Sequence, residues 1–139
     1  WYQQSWKCNK PKSGGLAANI GIHFFDMLVW IFGDAKKSTV TKFEQKTISG
    51  QLELERAVVN WNLSTDAKNL PAEAISAGKR AHRSLVIDGK EIDFSTGFTD
   101  LHTVTYQSIL DGNGFGLQDA LASLILCRDI MTGIGETSY

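Results

Sequence analysis

The stretch from residue 14 to residue 33 reads Gly-Gly-Leu-Ala-Ala-Asn-Ile-Gly-Ile-His-Phe-Phe-Asp-Met-Leu-Val-Trp-Ile-Phe-Gly, and it is the most apolar long run in the chain. Its large apolar residues recur at steps of three and four, which is the spacing of one helix face; they are Ile20, Phe24, Met27, Leu28 and Ile31. Ser13 precedes the run as a candidate N-cap, and Gly33 is placed to end it. The pattern therefore predicts a helix between Ser13 and Gly33.

Three polar residues interrupt this apolar helix. Steps of four and three put Asn19, His23 and Asp26 on one face. A buried helix carries such groups when they are hydrogen-bonded or used in chemistry. His23 is therefore either a hydrogen-bonded core histidine or a functional group, and Asp26 either caps or pairs with a neighbouring helix or belongs to a site. Gly21 costs roughly 1 kcal/mol against alanine inside a helix, which favours a close packing contact or the approach of a ligand at that position.

The composition indicates which class of protein the chain belongs to. The chain has 139 residues, 42% hydrophobic and 21% charged, which is enough for one globular domain over residues 1–139. Its net charge of −1 gives no electrostatic reason to expect nucleic acid or an anionic membrane as a partner. The two cysteines, Cys8 and Cys127, lack metal-ligand spacing. They suit a reducing cytosol, so we expect a cytoplasmic protein without a metal site.

Strand patterns follow the helix. Residues 36–49 predict one strand, with a turn at Ser49-Gly50, and residues 51–64 predict a second, longer one. The alternation of the second strand changes parity near Glu55-Arg56, which indicates a bulge or two covered faces. Residues 65–82 read as a loop with a short helix at 72–77. Asp88-Gly89 between two apolar runs predicts a hairpin, which we expect to extend the sheet.

Two further helices complete the predicted fold. The first ends at Asp111-Gly112 and has Asp100 as a candidate cap. The glycine-rich run 112–116 lacks the Lys-Ser or Lys-Thr of a phosphate loop and joins this helix to a last amphipathic helix. The tail, residues 132–139, is expected to fray. This order of elements implies an α+β fold, with a largely antiparallel open sheet and helices packed on one face.

The motif Gly14-Gly15 followed by Asn19-x-Gly21-x-His23-x-x-Asp26 resembles the signature helix of the Gfo/Idh/MocA oxidoreductases. In that family the helix opens the C-terminal, substrate-binding domain. The match is narrowed by four further segments, 5–7, 12–15, 52–57 and 97–103, which read Ser-Trp-Lys, Lys-Ser-Gly-Gly, Leu-Glu-Leu-Glu-Arg-Ala and Gly-Phe-Thr-Asp-Leu-His-Thr. Together they resemble the UDP-N-acetyl-2-amino-2-deoxyglucuronate 3-dehydrogenase branch, which acts in lipopolysaccharide and other surface-polysaccharide synthesis. The resemblance runs from about Trp6 to about Met131.

This resemblance implies a C-terminal substrate-binding and oligomerisation domain of a dehydrogenase that uses NAD. The chain has no Gly-x-Gly-x-x-Gly motif, so we expect no cofactor-binding residue within it. NAD would be bound mainly by a Rossmann domain preceding Trp1, and the isolated chain would be inactive. The resemblance also implies a homo-oligomer that assembles through the sheet face.

The resemblance assigns roles to particular residues. His23 matches the family histidine at the reacting hydroxyl, where it acts as base or positioning donor beside a lysine of the other domain. Asn19, the second catalytic candidate, stands where many relatives carry aspartate. Asp26 would orient the catalytic side chains without contacting the substrate. The substrate-binding candidates are Trp6, Lys7, Lys12, Ser13 and His102. A lysine suits a pyrophosphate or carboxylate because it presents a point charge. The plainer interpretation of the two lysines is a solvated arm, and that of His102 is a surface or capping histidine.

Two alternatives to this function remain open at the level of sequence. One is a dehydrogenase of the same family that acts on another sugar, inositol or a biliverdin-like ligand. The other is a non-catalytic domain that uses its sheet only for assembly.

Overall fold

The structure is a computed structural model that describes residues 5–6, 9–95 and 100–139. The predictions for Lys7, Cys8 and residues 97–99 lie outside the described residues. The chain divides into two compact units, one made of Trp1–Thr65 with Leu117–Tyr139, the other of Asp66–Gly116. The single domain over residues 1–139 stays a prediction.

The first unit contains a four-stranded antiparallel sheet. Its strands are β1 (Ala35–Phe43), β2 (Thr47–Leu54), β3 (Val58–Ser64) and, after the β4 and β5 of the second unit, β6 (Gly135–Ser138). Their order in the sheet is β3-β2-β1-β6. The helices of this unit are α1 (Lys10–Ser13), a π-helical turn (Ala17–Gly21), α2 (Ile22–Phe32) and, late in the chain, α5 (Leu117–Ile130).

The prediction of a single strand over residues 36–49 is wrong, because the chain turns between Phe43 and Thr47. Gly50 does not form a turn either. It lies inside β2, opposite Val40 on one side and Trp61 on the other. A Cβ at Gly50 would lie 2.8 Å from Cζ2 of Trp61 and closer still to the carbonyl oxygen of Thr39. This glycine therefore permits close approach within the sheet.

The parity change near Glu55-Arg56 marks a turn and not a bulge. The predicted strand 51–64 is in fact the end of β2, this turn, and β3. Leu52 and Leu54 of β2 and Trp61 and Leu63 of β3 are all buried. Because the two strands are antiparallel neighbours, all four side chains point to the same inner face although their sequence parity differs.

The tail does not fray, which corrects another prediction. β6 pairs with β1 in antiparallel register, with Thr39 opposite Glu136. The Nζ atom of Lys37 lies 2.8 Å from a carboxylate oxygen of Glu136, and the backbone N–H of Tyr139 donates to the carbonyl of Lys36 at 3.0 Å. The tail is ordered because β1 otherwise presents an unpaired edge.

The core lies between the inner face of this sheet and the helical layer. Its most deeply buried large side chains are Phe25, Leu52, Leu126 and Ile130. The rings of Phe25 and Trp61 meet edge to face, with centroids 5.2 Å apart. The α+β class with an antiparallel sheet, predicted from the sequence, is confirmed.

The second unit is built from local elements. They are a 3₁₀ turn (Ala67–Asn69), α3 (Ala72–Ser76), β4 (Ser84–Ile87), β5 (Lys90–Asp93) and α4 (Leu101–Leu110). Asp88 and Gly89 both have positive φ, 50° and 77°, as a type I′ hairpin turn requires. The predicted hairpin is confirmed, but it forms a two-stranded sheet of its own and does not extend the main one. The turn sets the register of this pairing, and an ion pair between Lys79 and Asp93 supports it.

The predicted cap of α4 is wrong. Asp100 has φ 59°, in the left-handed region, and its side chain makes no capping hydrogen bond to the helix. An N-cap side chain reaches the first turn from an extended backbone, which Asp100 does not have.

Candidate active site

The helix predicted between Ser13 and Gly33 is present but is not regular. Gly14 and Gly15, each with φ 72°, separate α1 from the helical run that follows. The hydroxyl of Ser13, the last residue of α1, accepts a hydrogen bond from the backbone N–H of Gly15 at 3.1 Å. Gly33 ends α2 with φ 87°, and its N–H donates to the carbonyl of Val29. The predicted end at Gly33 is confirmed, whereas the prediction of Ser13 as N-cap is wrong, because Ser13 is the last residue of α1 and the helical elements after it have no side-chain cap. The interior contains a π-helical turn that periodicity does not reveal.

Asn19 lies in the π-helical turn and is tied to the backbone before it. Its Nδ2 donates to the carbonyl oxygens of Ser13 and Gly15, each at 2.9 Å. Both amide protons are thereby used, and the Oδ1 atom is the remaining acceptor of the side chain. Asn19 thus fastens the Gly14-Gly15 bend to the helix, a bond pattern that a carboxylate does not offer.

His23 occupies the first turn of α2 and is exposed. Within the described part of the chain no protein group hydrogen-bonds to its ring. The interpretation as a buried, hydrogen-bonded core histidine is therefore wrong. The imidazole is open to a ligand that approaches this face of the helix.

Asp26 connects α2 to α5. Its Oδ1 accepts a hydrogen bond of 2.7 Å from the hydroxyl of Ser123, which is 1% exposed. Among the described residues no direct hydrogen bond joins Asp26 to His23. Asp26 therefore ties the helix that carries His23 to a neighbouring helix, through a neutral hydroxyl and not through the predicted cap or ion pair.

The contact of Cys127, in α5, with the helical run before His23 was not predicted from the sequence. The Sγ atom of Cys127 lies 3.4 Å from the carbonyl oxygen of Ala17, which also accepts the backbone N–H of Ile22. Burial raises the pKa of the Cys127 thiol to about 12, so the group stays protonated and can donate. The available signal was its place on the apolar face of the last helix.

The far end of α2 is held by the turn after β2. A guanidinium nitrogen of Arg56 donates to the carbonyl of Ile31 at 2.7 Å, and the backbone N–H of Arg56 donates to the carbonyl of Phe32 at 3.0 Å. A cation at a helix C-terminus satisfies free carbonyls and favours the helix dipole. This gives Arg56 a structural role within the 52–57 segment.

Comparison with known proteins matches this architecture to one family. Residues 1–82 match the model of the oxidoreductase family Gfo/Idh/MocA, C-terminal alpha/beta domain. The chain belongs to this family. The resemblance seen in the Asn19–Asp26 motif is thereby confirmed for the family.

Two solved structures are similar to this Gfo/Idh/MocA domain over 99% of its length, each with a TM-score of 0.91. Both are of the WlbA (WbpB) dehydrogenase from Thermus thermophilus. One is a complex with NAD and α-ketoglutarate and is 46% identical to this chain. The other is a complex with NAD and UDP-GlcNAcA and is 45% identical. The chain spans 45% of the length of these WlbA chains.

Within this Gfo/Idh/MocA domain the structure brings together only some of the predicted site residues. Ser13 and Asn19 are hydrogen-bonded, and Lys12, which is exposed, directly precedes them. Trp6 is 60% exposed, and its carbonyl accepts the N–H of Asn9. His102 is exposed at the start of α4, in the second unit.

The described residues contain no group of three or more His, Cys, Asp and Glu side chains placed to hold a metal ion. In the same part of the chain, every helix is too short or too polar to cross a bilayer.

Proposed function

We propose that this chain is the substrate-binding domain of an NAD-dependent dehydrogenase that oxidises a sugar hydroxyl, with carbon 3 of UDP-N-acetylglucosaminuronic acid as its reaction centre. The observation that carries the proposal is the exposed His23, which lies on a helix whose neighbouring polar groups are occupied by structural contacts. The identity of about half the residues with a dehydrogenase bound to NAD and UDP-GlcNAcA supports the choice of substrate.

Oxidation of an alcohol removes a hydride from carbon and a proton from oxygen. NAD, when bound, supplies the acceptor for the hydride. The proton requires a base within hydrogen-bond reach of the hydroxyl, and an imidazole accepts protons at neutral pH. His23 takes this role, as the base itself or as the donor that positions the hydroxyl for a lysine of the other domain. Asn19 contributes its Oδ1 atom as an acceptor for a substrate hydroxyl.

The remaining site residues bind the charged part of the substrate. Lys12, and Lys7 outside the described residues, neutralise the pyrophosphate or the sugar carboxylate. Ser13 offers a hydroxyl, Trp6 offers an exposed ring for a sugar or uracil, and His102 is a further candidate for contact with the substrate. The chain has no glycine-rich dinucleotide loop. NAD is therefore held mainly by a Rossmann domain outside this chain.

The outer face of the main sheet serves assembly. Most of its exposed side chains are polar and include Gln51, Glu53, Asn60 and Asn62, and Val58 is exposed beside them. Nε2 of Gln51 donates to Oδ1 of Asn60 at 3.0 Å. A second copy of the protein packs there, and the oligomer works in the cytoplasm in lipopolysaccharide synthesis. A monomeric mass of the full-length protein in light scattering would contradict the assembly part of this proposal.

The test is turnover by the full-length protein. NADH absorbance is followed with UDP-N-acetylglucosaminuronic acid and NAD, for the natural sequence, His23→Gln and His82→Gln. We expect His23→Gln to lower kcat by roughly 10²-fold or more, the usual contribution of a positioned acid or base. His82→Gln is the matched control, because His82 is bonded to Ser84 and Glu91 in the β4–β5 hairpin.

Three outcomes separate the candidates. Full activity of His23→Gln would refute the catalytic role of this histidine. Turnover with another sugar or with inositol, but not with the UDP-sugar, would replace the substrate and keep the reaction. A stable oligomer that neither binds NAD nor turns over any sugar would favour the non-catalytic assembly domain.

A further inference from the structure

The π-helical turn Ala17–Gly21 lies directly before His23. In an uninterrupted α-helix, Asn19 and His23 are four residues apart and lie one above the other. The π-helical turn closes its hydrogen bond over five residues, from Ile22 to Ala17, and so adds one residue to one turn. Removal of that extra residue would rotate α2 by about 100° relative to Ser13, because an α-helix turns once in 3.6 residues. The direction of the His23 ring relative to the Ser13–Asn19 segment therefore depends on this turn.

A π-helical turn is rare and requires support from its surroundings. Here support comes from both ends. Asn19 ties the turn to the carbonyls of Ser13 and Gly15, and Cys127 donates to the carbonyl of Ala17 from the buried face of α5.

Packing closes the turn on its inner side. A Cβ at Gly21 would lie 2.7 Å from a ring carbon of Phe25 and 2.8 Å from Cδ1 of Leu63. Only a glycine lets the turn lie this close to β3. The backbone of the turn is thus held by a hydrogen bond on one side and by this contact on another.

We propose that Cys127 and Asn19 are positioning residues, which hold the π-helical turn so that the His23 ring is aimed at the reacting hydroxyl. This inference rests on the proposed function for its link to catalysis, but not for the geometry. Cys127 acts through the Ala17 carbonyl and does not touch the substrate. The thiol serves as a weak donor that fits a buried site of this size.

The experiment compares three variants of the full-length protein. Cys127→Ala removes the donor. Cys127→Ser keeps a donor of similar size. Ile130→Val is the matched control, because Ile130 is 1% exposed on the same buried face of α5 and offers no hydrogen bond. We expect Cys127→Ala to lower kcat roughly tenfold, since small misplacements of a catalytic group lower rates steeply. KM should change less than about twofold, because the substrate-binding residues are untouched.

Rescue separates positioning from general destabilisation. Cys127→Ser should recover most of kcat, and Ile130→Val should lower the melting temperature as Cys127→Ala does while leaving kcat unchanged. Equal kcat losses in Cys127→Ala and Ile130→Val, or an unchanged kcat in Cys127→Ala, would overturn the proposal.

A second measurement does not depend on turnover. In the ¹⁵N-histidine spectrum of the full-length protein, signals of His23 and His82 are assigned through His23→Gln and His82→Gln. Cys127→Ala should shift the ring signals of His23 and leave those of His82 in place. If the natural protein shows no dehydrogenase activity, the proposed function fails while a shift of His23 still supports the positioning role. An unmoved His23 signal overturns it.

Discussion

Asn19 gives the sharpest test of how the site is built, because replacing its amide nitrogen with an oxygen turns a hydrogen-bond donor into an acceptor. Nδ2 of Asn19 donates to two backbone carbonyl oxygens, each at 2.9 Å. Asn19→Asp replaces this donor with a carboxylate oxygen, which faces the same two carbonyls and repels them. Each hydrogen bond contributes about 1 kcal/mol net, so we expect the free energy of unfolding to fall by about 2 kcal/mol at neutral pH. Asn19 is half-buried, which lets water compensate part of the additional repulsion.

The effect should depend on pH in a defined direction. In the folded protein only the protonated form of the introduced carboxyl can donate to one of the two carbonyls, so folding raises the pKa of that carboxyl. A raised acid pKa favours the folded state below the unfolded value of about 3.9 and opposes it above the folded value. The difference between Asn19→Asp and the natural protein should therefore shrink to about 1 kcal/mol in acid, where one donor is restored.

The assay is urea unfolding of the full-length protein at neutral and acidic pH. Asn113→Asp is the matched control, because Asn113 is exposed in the loop between α4 and α5 and no hydrogen bond to its side chain is found among the described residues. Its effect should stay within about 0.5 kcal/mol, as for most surface substitutions. An Asn19→Asp effect as small as that of the control, or one that grows on acidification, would refute the reasoning.

Two further substitutions test the frame around the site by the same unfolding measurement. Arg56→Met removes the hydrogen bond to the Ile31 carbonyl at the end of α2 and should lower the free energy of unfolding by about 1 kcal/mol. Lys46→Met, in the turn after β1, is the control and should have little effect. Equal effects of the two changes would refute the capping role of Arg56. Gly50→Ala should lower the free energy of unfolding by about 3 kcal/mol, because the new methyl group meets the Thr39 carbonyl and the Trp61 ring. Ser49→Ala, the neighbouring change on the same strand, is its control, and a tolerated Gly50→Ala would show that the strands can separate.

Signals confined to a few residues could be predicted from the sequence. The Asp88-Gly89 hairpin and the end of α2 at Gly33 both depend on backbone conformations with positive φ that few residue types adopt. The last helix followed from its apolar spacing. In each case the physical cause lies within the segment itself.

Other features depend on contacts between segments distant in sequence and could not be predicted in the same way. The turn at residues 44–46 contains no glycine, proline, asparagine or aspartate to mark it. Gly50 looks like a turn residue, and only the neighbouring Thr39 and Trp61 reveal why it is needed. The tail becomes a strand because β1 offers it an edge.

The site shows the same division. The spacing of Asn19, His23 and Asp26 treated the three as one face of a regular helix. The π-helical turn separates Asn19 from His23, and apolar periodicity cannot detect one extra residue in a single turn. The contacts of Ser123 and Cys127 come from a helix about a hundred residues later.

The arrangement explains how His23 can remain without a protein hydrogen bond on a helix where Asp26 is bonded to a neighbouring helix. Asn19 is bonded to the backbone before the helix, Asp26 to Ser123 and the Ala17 carbonyl to Cys127. These bonds satisfy the polar groups around His23 and leave its ring without a partner among the described residues. The asparagine at position 19 is part of this arrangement, because an aspartate there could not donate to the carbonyls of Ser13 and Gly15 and so could not tie down the Gly14-Gly15 bend.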